Sequence, residues 1–396
     1  MIWKKEISGG FELERLSIIA FVLLIISFFE SSYLFMFISS IIFVLCRLSV
    51  YYLNHVADAL VLENEKETIR LSVGDESSLI LKFSQLNRIP IYNAILRIKL
   101  EPIVEGVGIP TIILNENLYI QIPISIKGKG RIHIPLKLKG VTRGVTKIKS
   151  IEITIQNFFG VGSVYLTHYH FYQKELVIFP IPIQVPQTEK LIATKSHGHY
   201  TSPSSIYEQV LSPIGTRDYV YTDPFQRIHW KATAKTQSLK TKVFERTSDY
   251  SWTFIINLRE PNTPNFHIGV VENIEEIASN VAFLAETASK KGIEYELFIN
   301  LHTVTGPSIY HLPKGGGAHQ LAKVLDILAR INRYSYTQPI NKLLYYVDKQ
   351  QAKSPIVIFC GPIGDEGKRS FAQMQKNGQK VYFLHADNQF PAIVPY

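Results

Sequence analysis

The sequence predicts a membrane helical hairpin, then an antiparallel β-sandwich-like domain, then an α/β doubly wound domain. Three observations carry this. Between Leu16 and Cys46 the only charged residue is Glu30. Residues 58–185 hold short runs in which apolar and polar residues alternate, the period of half-buried strands. From residue 246 onward, continuous apolar runs alternate with amphipathic ones, the order of a parallel sheet with crossover helices. A chain of 396 residues is also too long for one ordinary domain.

The membrane segment is assigned to residues 1–57. Its apolar tract exceeds the roughly 20 residues that cross a bilayer. Glu30, Ser31 and Ser32 interrupt it, so the prediction is two helices, about 11–29 and 33–53. Glu12, Glu14, Arg15 and Arg47 then lie at the interfaces, beside Tyr51 and Tyr52. No small-residue cleavage site follows the tract, which argues against a signal peptide. Lys4, Lys5, Arg15 and Arg47 flank the tract, and its turn has no Lys or Arg. The expectation is a two-pass protein of the cell membrane, with both termini and the soluble domains cytoplasmic.

In the β domain (58–185) the strands expected are 67–73, 78–84, 94–100, 118–126, 131–138 and 150–156. Gly74, Gly128, Gly140 and Gly144 punctuate them. A polar linker and signature segment occupies 186–245. The α/β domain (246–396) is read as strands 252–258, 293–301, 354–360 and 380–386, with helices 273–292, 318–331 and 365–378.

Within the linker, Asp223 suits a helix N-cap, Pro224 a first helical position and Gln226 a capping box, predicting a helix from Pro224 to about Thr236. Arg217, Tyr219, Asp223, Arg227, Ile228, Trp230 and Lys231 follow one another with the spacing of a known signature. In this the chain resembles the bacterial DUF fifty-eight family, a domain of unknown function. Thr222 stands where the family has Gly, and NFFGVG (157–162) replaces the family's Asp-Pro-Phe-Gly strand end. The resemblance implies a von Willebrand factor A-like C-terminal domain. It also implies a protein partner, a MoxR-type AAA+ ATPase, in cell-envelope maintenance or protein maturation.

Two roles are open to Arg217, Tyr219, Asp223, Arg227, Trp230 and Lys231. They form a partner-binding surface, or an Arg–Asp and Arg–Trp network clips the signature helix to the sheet. The capping duty of Asp223 favours the clip, which predicts a buried Trp230.

A metal-binding A domain presents Asp-x-Ser-x-Ser after its first strand, because Mg²⁺ wants hard oxygen ligands. Here the stretch is Asn257, Leu258, Arg259, Glu260 and Pro261, so Asn, Arg and Pro replace the ligands. No metal is expected, and Asp365 is expected to cap a helix. His168 with His170, and His197 with His199, lack the further ligands of a zinc site. Gly315, Gly316 and Gly317 lack the Lys-Ser/Thr ending of a phosphate loop. No cofactor motif occurs.

The formal charge is +9 and favours anionic partners. Lys127 to Lys149 hold eight Lys or Arg and one His, with no interleaved aromatics. That pattern suits anionic lipid better than nucleic acid. Cys46 and Cys360 are too far apart in sequence and pattern to suggest a disulfide framework. The leading expectation is a non-enzymatic membrane scaffold. The alternatives are a hydrolase or redox enzyme using Cys360 or the His pairs, and a lipid- or polymer-binding protein using the basic strands.

Overall fold

The computed structural model describes residues 3–30, 32–63, 65–157, 160–168, 172–193, 200–201, 208–248, 250–261, 263, 267–302, 309–350, 354–385 and 391–396. It divides into two compact units, Met1–Phe179 and Pro180–Tyr396.

The first unit begins with strand β1 (Trp3–Ser8), followed by helices α1 (Gly10–Phe29) and α2 (Tyr33–His55). Then come β2 (Leu60–Leu62), β3 (Thr68–Ser72), β4 (Glu76–Gln85), β5 (Ile91–Leu100), β6 (Val104–Gly106), β7 (Thr111–Leu114), β8 (Asn117–Ile126), β9 (Arg131–Gly140), β10 (Gly144–Lys147), β11 (Ser150–Gln156), β12 (Ser163–His168) and β13 (Glu175–Phe179). They form sheets ordered β1-β12-β11-β5-β8-β7, β2-β4-β9-β6 and β10-β13-β3. All the pairings are antiparallel except β13 with β3. Alternation does its expected work here. In β9 the residues Ile134, Leu136 and Leu138 enter the core, while Arg131, His133, Lys137 and Lys139 face outward.

The apolar residues of the two helices are arranged differently. Those buried in α1 are Leu13, Ser17, Ala20 and Ser27, and those buried in α2 are Ser39, Ser49, Tyr52 and Leu53. Large residues such as Ile18, Phe29, Leu34 and Phe37 are exposed. Apart from Leu13, Tyr52 and Leu53 the buried residues are small, and the surface left outside is apolar. Phe21 and Phe43 touch across the pair. By length and composition α2 qualifies as a bilayer-crossing helix. α1 is of similar length, but Glu12, Glu14 and Arg15 lie in its first two turns. The sequence reading had both helices crossing.

An unpredicted feature ties this pair to the sandwich. β1 precedes α1 and pairs with β12 along its whole length. α2 leads through Val56 and Leu60, both buried, into β2. Trp3 Nε1 donates to the carbonyl of Leu60 at 2.9 Å, and Tyr52 Oη to that of Pro90 at 3.2 Å. Gly9 sits at φ 77°, and a Cβ there would lie 2.5 Å from Gly162 Cα, so only glycine allows the approach.

The second unit contains α3 (Thr188–Ala193), β14 (Tyr200–Thr201), β15 (Glu208–Asp218), α4 (Trp230–Thr236), β16 (Lys240–Ser248), β17 (Ser251–Ile256), β18 (His267–Ile268), α5 (Ile274–Lys290), β19 (Glu294–Ile299), β20 (Tyr310–Gly315), α6 (Gly317–Arg330), β21 (Tyr336–Thr337), α7 (Ile340–Lys349), β22 (Ile356–Cys360), α8 (Asp365–Lys376), β23 (Lys380–His385) and β24 (Ala392–Pro395). Its main sheet runs β20-β19-β17-β22-β23-β24. The four central strands are parallel and the two edge strands antiparallel. Alternate residues of the parallel strands serve two cores. Trp252, Phe254 and Ile256 pack with α5 and α6, whereas Ile255, Phe298 and Phe359 pack with α7 and α8. The sheet is therefore covered on both faces, which is why its strands read as continuous apolar runs.

Candidate functional site

Two places in the second unit hold the residues singled out in the sequence. The first is an arm made by β15 and β16, which pair antiparallel with Arg217 opposite Thr241 and Asp218 opposite Lys240. The signature lies across its tip. The expected continuous helix is not formed. Phe225–Arg227 make one 3-10 turn, Ile228 is extended and bridges to Thr241, and α4 starts only at Trp230. Asp223 caps neither helix. Its carboxylate accepts from Arg217 Nη2 at 2.6 Å, from the Val220 amide at 3.1 Å and from Thr241 Oγ1 at 3.1 Å. These donors, the Arg217 guanidinium foremost, hold the Asp223 carboxyl below its ordinary value. The cap of α4 is His229, whose Nδ1 accepts from the Ala232 amide at 3.0 Å.

The clip is thus Arg217–Asp223–Thr241, and Trp230 is no part of it. Trp230 is 66 % exposed, Phe225 74 % and Tyr221 95 %. Tyr219 is half-buried with its ring against Phe225, Arg227 is half-buried, and Lys231 is exposed. Only Ile228 and Thr241 are buried at the tip. Of the six signature residues, Arg217 and Asp223 are thus bonded to each other, Tyr219 and Arg227 are half-buried, and Trp230 is exposed on the same segment as Tyr221 and Phe225.

The second place is the carboxyl edge of the parallel sheet. Asn257 is buried at the end of β17, and its amide donates to the carbonyls of Arg259 and Pro362 at 3.1 and 2.7 Å. Its Oδ1 accepts from Asn300 Nδ2 at 2.7 Å. Gly361 has φ 112°, and a Cβ there would meet the Asn257 carbonyl at 2.0 Å, so β22 can approach β17 only with glycine. Arg259 is buried, with Nη1 donating to the Thr337 carbonyl at 3.2 Å and Nη2 to the Thr263 carbonyl at 2.9 Å. Burial lowers its titration from the ordinary guanidinium value. A fixed cation and a spent amide now occupy the loop where oxygen ligands would have gathered. Pro261 is exposed, and among the described residues no three His, Cys, Asp or Glu converge to hold a metal. At α8 the cap position falls to Gly364, and Asp365 is the first helical residue.

Cys360 lies wholly buried at the end of β22, where burial pushes its thiol far above neutrality. That is the environment of an inert core cysteine. His168 is buried against the Trp3 ring at 5.1 Å. His170, His197 and His199 lie outside the described residues. Gly315 ends β20, Gly316 is the cap position of α6, and Gly317 at φ 71° begins it.

No protein-family model and no curated protein matches the chain. Among solved structures, a non-cellulosomal cohesin from Archaeoglobus fulgidus is 12 % identical, over 34 % of this chain and 95 % of that one, with a TM-score of 0.20. The sporulation control protein Spo0M from Bacillus subtilis is 12 % identical over 36 % and 57 %, with a TM-score of 0.16. A GH20 exo-β-N-acetylglucosaminidase from Vibrio harveyi is 9 % identical over 81 % and 71 %, with a TM-score of 0.19. Likenesses this slight define neither fold nor function.

Proposed function

We propose that this chain is a membrane-anchored adaptor, related to the DUF fifty-eight family, whose arm docks a protein partner without metal-dependent catalysis. The reading rests above all on the three exposed aromatics of the arm. Tyr221, Phe225 and Trp230 are held out on a base fixed by Arg217 and Asp223. Large rings on a preorganised support are the usual anchors of interfaces, and left uncovered they are a liability. The resemblance names a MoxR-type AAA+ ATPase as the partner. The parallel order β19-β17-β22-β23, with helices on both faces, supports a von Willebrand factor A-like reading of the second unit. Arg259 supports a version of it that needs no ion.

In this reading α1 and α2 are a two-pass hairpin with both termini and the soluble units cytoplasmic. Support comes from β1 and β2, which leave the helix pair in opposite chain directions yet enter the same sandwich. Both outer ends of the pair are thus on one side.

The test is binding between the full chain in detergent and the purified ATPase. Trp230→Ala and Phe225→Ala should each weaken it at least about tenfold, as interface anchors do. Unchanged binding by both variants would overturn the assignment of the arm as the docking surface.

A further inference from the structure

The eight cations between Lys127 and Lys149 do not act as one patch, and the fold separates them. At the far end of the sandwich Lys147 pairs with Glu175 at 3.6 Å and Lys149 with Glu101 at 3.3 Å. Arg143 is buried. Lys137 and Lys139 lie roughly 20–27 Å along β9 from Arg131, at strand rise. The near end is different. The turn 127–130 packs on the loop 86–90, since the Lys129 amide donates to the Asn87 carbonyl at 2.7 Å. That loop in turn packs on the foot of α2. Asn87 Nδ2 donates to the His55 carbonyl at 3.3 Å, Gln85 Nε2 to that of Val56 at 2.7 Å, and Tyr52 Oη to that of Pro90.

Arg88, Lys127, Lys129 and Arg131 are all exposed there, and among the described residues none has a carboxylate partner. Residues 85–93 and 126–131 contain no acid. Asp58, just past α2, is already paired to Lys5 at 2.8 Å, and Glu63 lies near Lys82 at 3.7 Å. Leu86, 64 % exposed, precedes Arg88 in the loop, and the exposed Tyr92 follows it.

Their level along α2 follows from length. A bilayer core takes about 20 helical residues, so counting from Tyr33 places its boundary near Tyr51 and Tyr52. The loop gripped by Tyr52 and His55 is then at headgroup depth. We infer that Arg88, Lys127, Lys129 and Arg131 form a basic collar that binds the anionic phospholipid headgroups around the helix pair, with Leu86 and Tyr92 entering the interface. The inference rests on the membrane-spanning reading of α1 and α2. It assigns to those helices a seat that is selective for anionic lipid and fixes how the sandwich stands on the membrane.

The experiment is hydrogen exchange of the full chain in lipid nanodiscs. One set is phosphatidylcholine alone, and the other carries about 30 mol % phosphatidylglycerol, comparable to an anionic leaflet. Amides of 86–89 and 127–130 should exchange about tenfold more slowly in the anionic discs, an effect removed near 1 M salt, where the screening length is about 3 Å. A variant combining Arg88→Gln, Lys127→Gln, Lys129→Asn and Arg131→Gln should lose the difference while keeping its melting temperature, since all four are exposed. Asn is chosen at 129 because φ there is 54°. Equal exchange in both discs, with α1 and α2 protected, overturns the collar and leaves the spanning reading intact. So does equal protection by inorganic phosphate in neutral discs, which marks a plain anion site. A chain that will not enter the discs overturns both.

Discussion

Two side chains decide what the second unit can do, and each makes a prediction. Asp223 has its carboxyl held below the ordinary 3.8 by Arg217, Val220 and Thr241. A depressed carboxyl stabilises the fold above its ordinary value, and the contribution is lost as pH falls through the lower, folded value. The arm tip should therefore keep its order down to about pH 4 and loosen below it. Amide exchange across 219–228, followed from pH 6 downward, measures this. Asp223→Asn should show the loosened state at neutral pH. Arg259 is the second. Arg259→Ala leaves the buried carbonyl of Thr337 and the half-buried one of Thr263 without that donor, which should cost about 3 kcal/mol in denaturant unfolding. With the guanidinium in place, calorimetric titration of the full chain with Mg²⁺ should show no saturable site, because a fixed cation repels another at that edge. The Asn257 stretch was singled out by its residue types, whereas the hydrogen bonds of Asn257 and Arg259 were not legible. An Arg–Asp contact at Asp223 was expected, but its bond to Thr241 was not, because Thr241 lies 18 residues away in sequence, on the opposite strand of the arm.

At the scale of elements, the arm overturned the expectation of a packed helix. The linker is rich in Ser, Pro, His and Thr, and no alternation announced the strands that pair there as a ribbon. Trp230→Ala should accordingly move the melting temperature by less than about one degree, the range of an exposed surface change. Trp252→Ala, in the core, should lower stability by about 3–5 kcal/mol. Comparing the two by calorimetry separates an anchor from a clip. The sandwich strands β4, β5, β8, β9 and β11 were legible because each has one buried face, and the parallel strands because both faces are buried. α7 was missed although its signal was present: Ile340, Leu343, Leu344 and Val347 recur at helical spacing after Pro339. β1 was missed because Lys4, Lys5 and Glu6 mask any alternation.

For the whole molecule, the helix pair makes a topological prediction. A cysteine replacing Ser32 should react with an impermeant thiol reagent added to whole cells, and one replacing the exposed Thr142 should not. Labelling at 142 alone would reverse the orientation. β1 carries a further consequence, in time rather than in space. It is made before the helices, yet its partner β12 is made some 165 residues later. At about 5–20 residues per second, that delay is roughly ten to thirty seconds. Throughout it, β1 has donors and acceptors that its neighbour cannot yet satisfy, while the apolar helices beside it have already left the ribosome. The closing of the sandwich is thus timed by synthesis of residues 163–168, and a chain stalled before them presents an open strand next to an apolar pair, the form that quality control would meet.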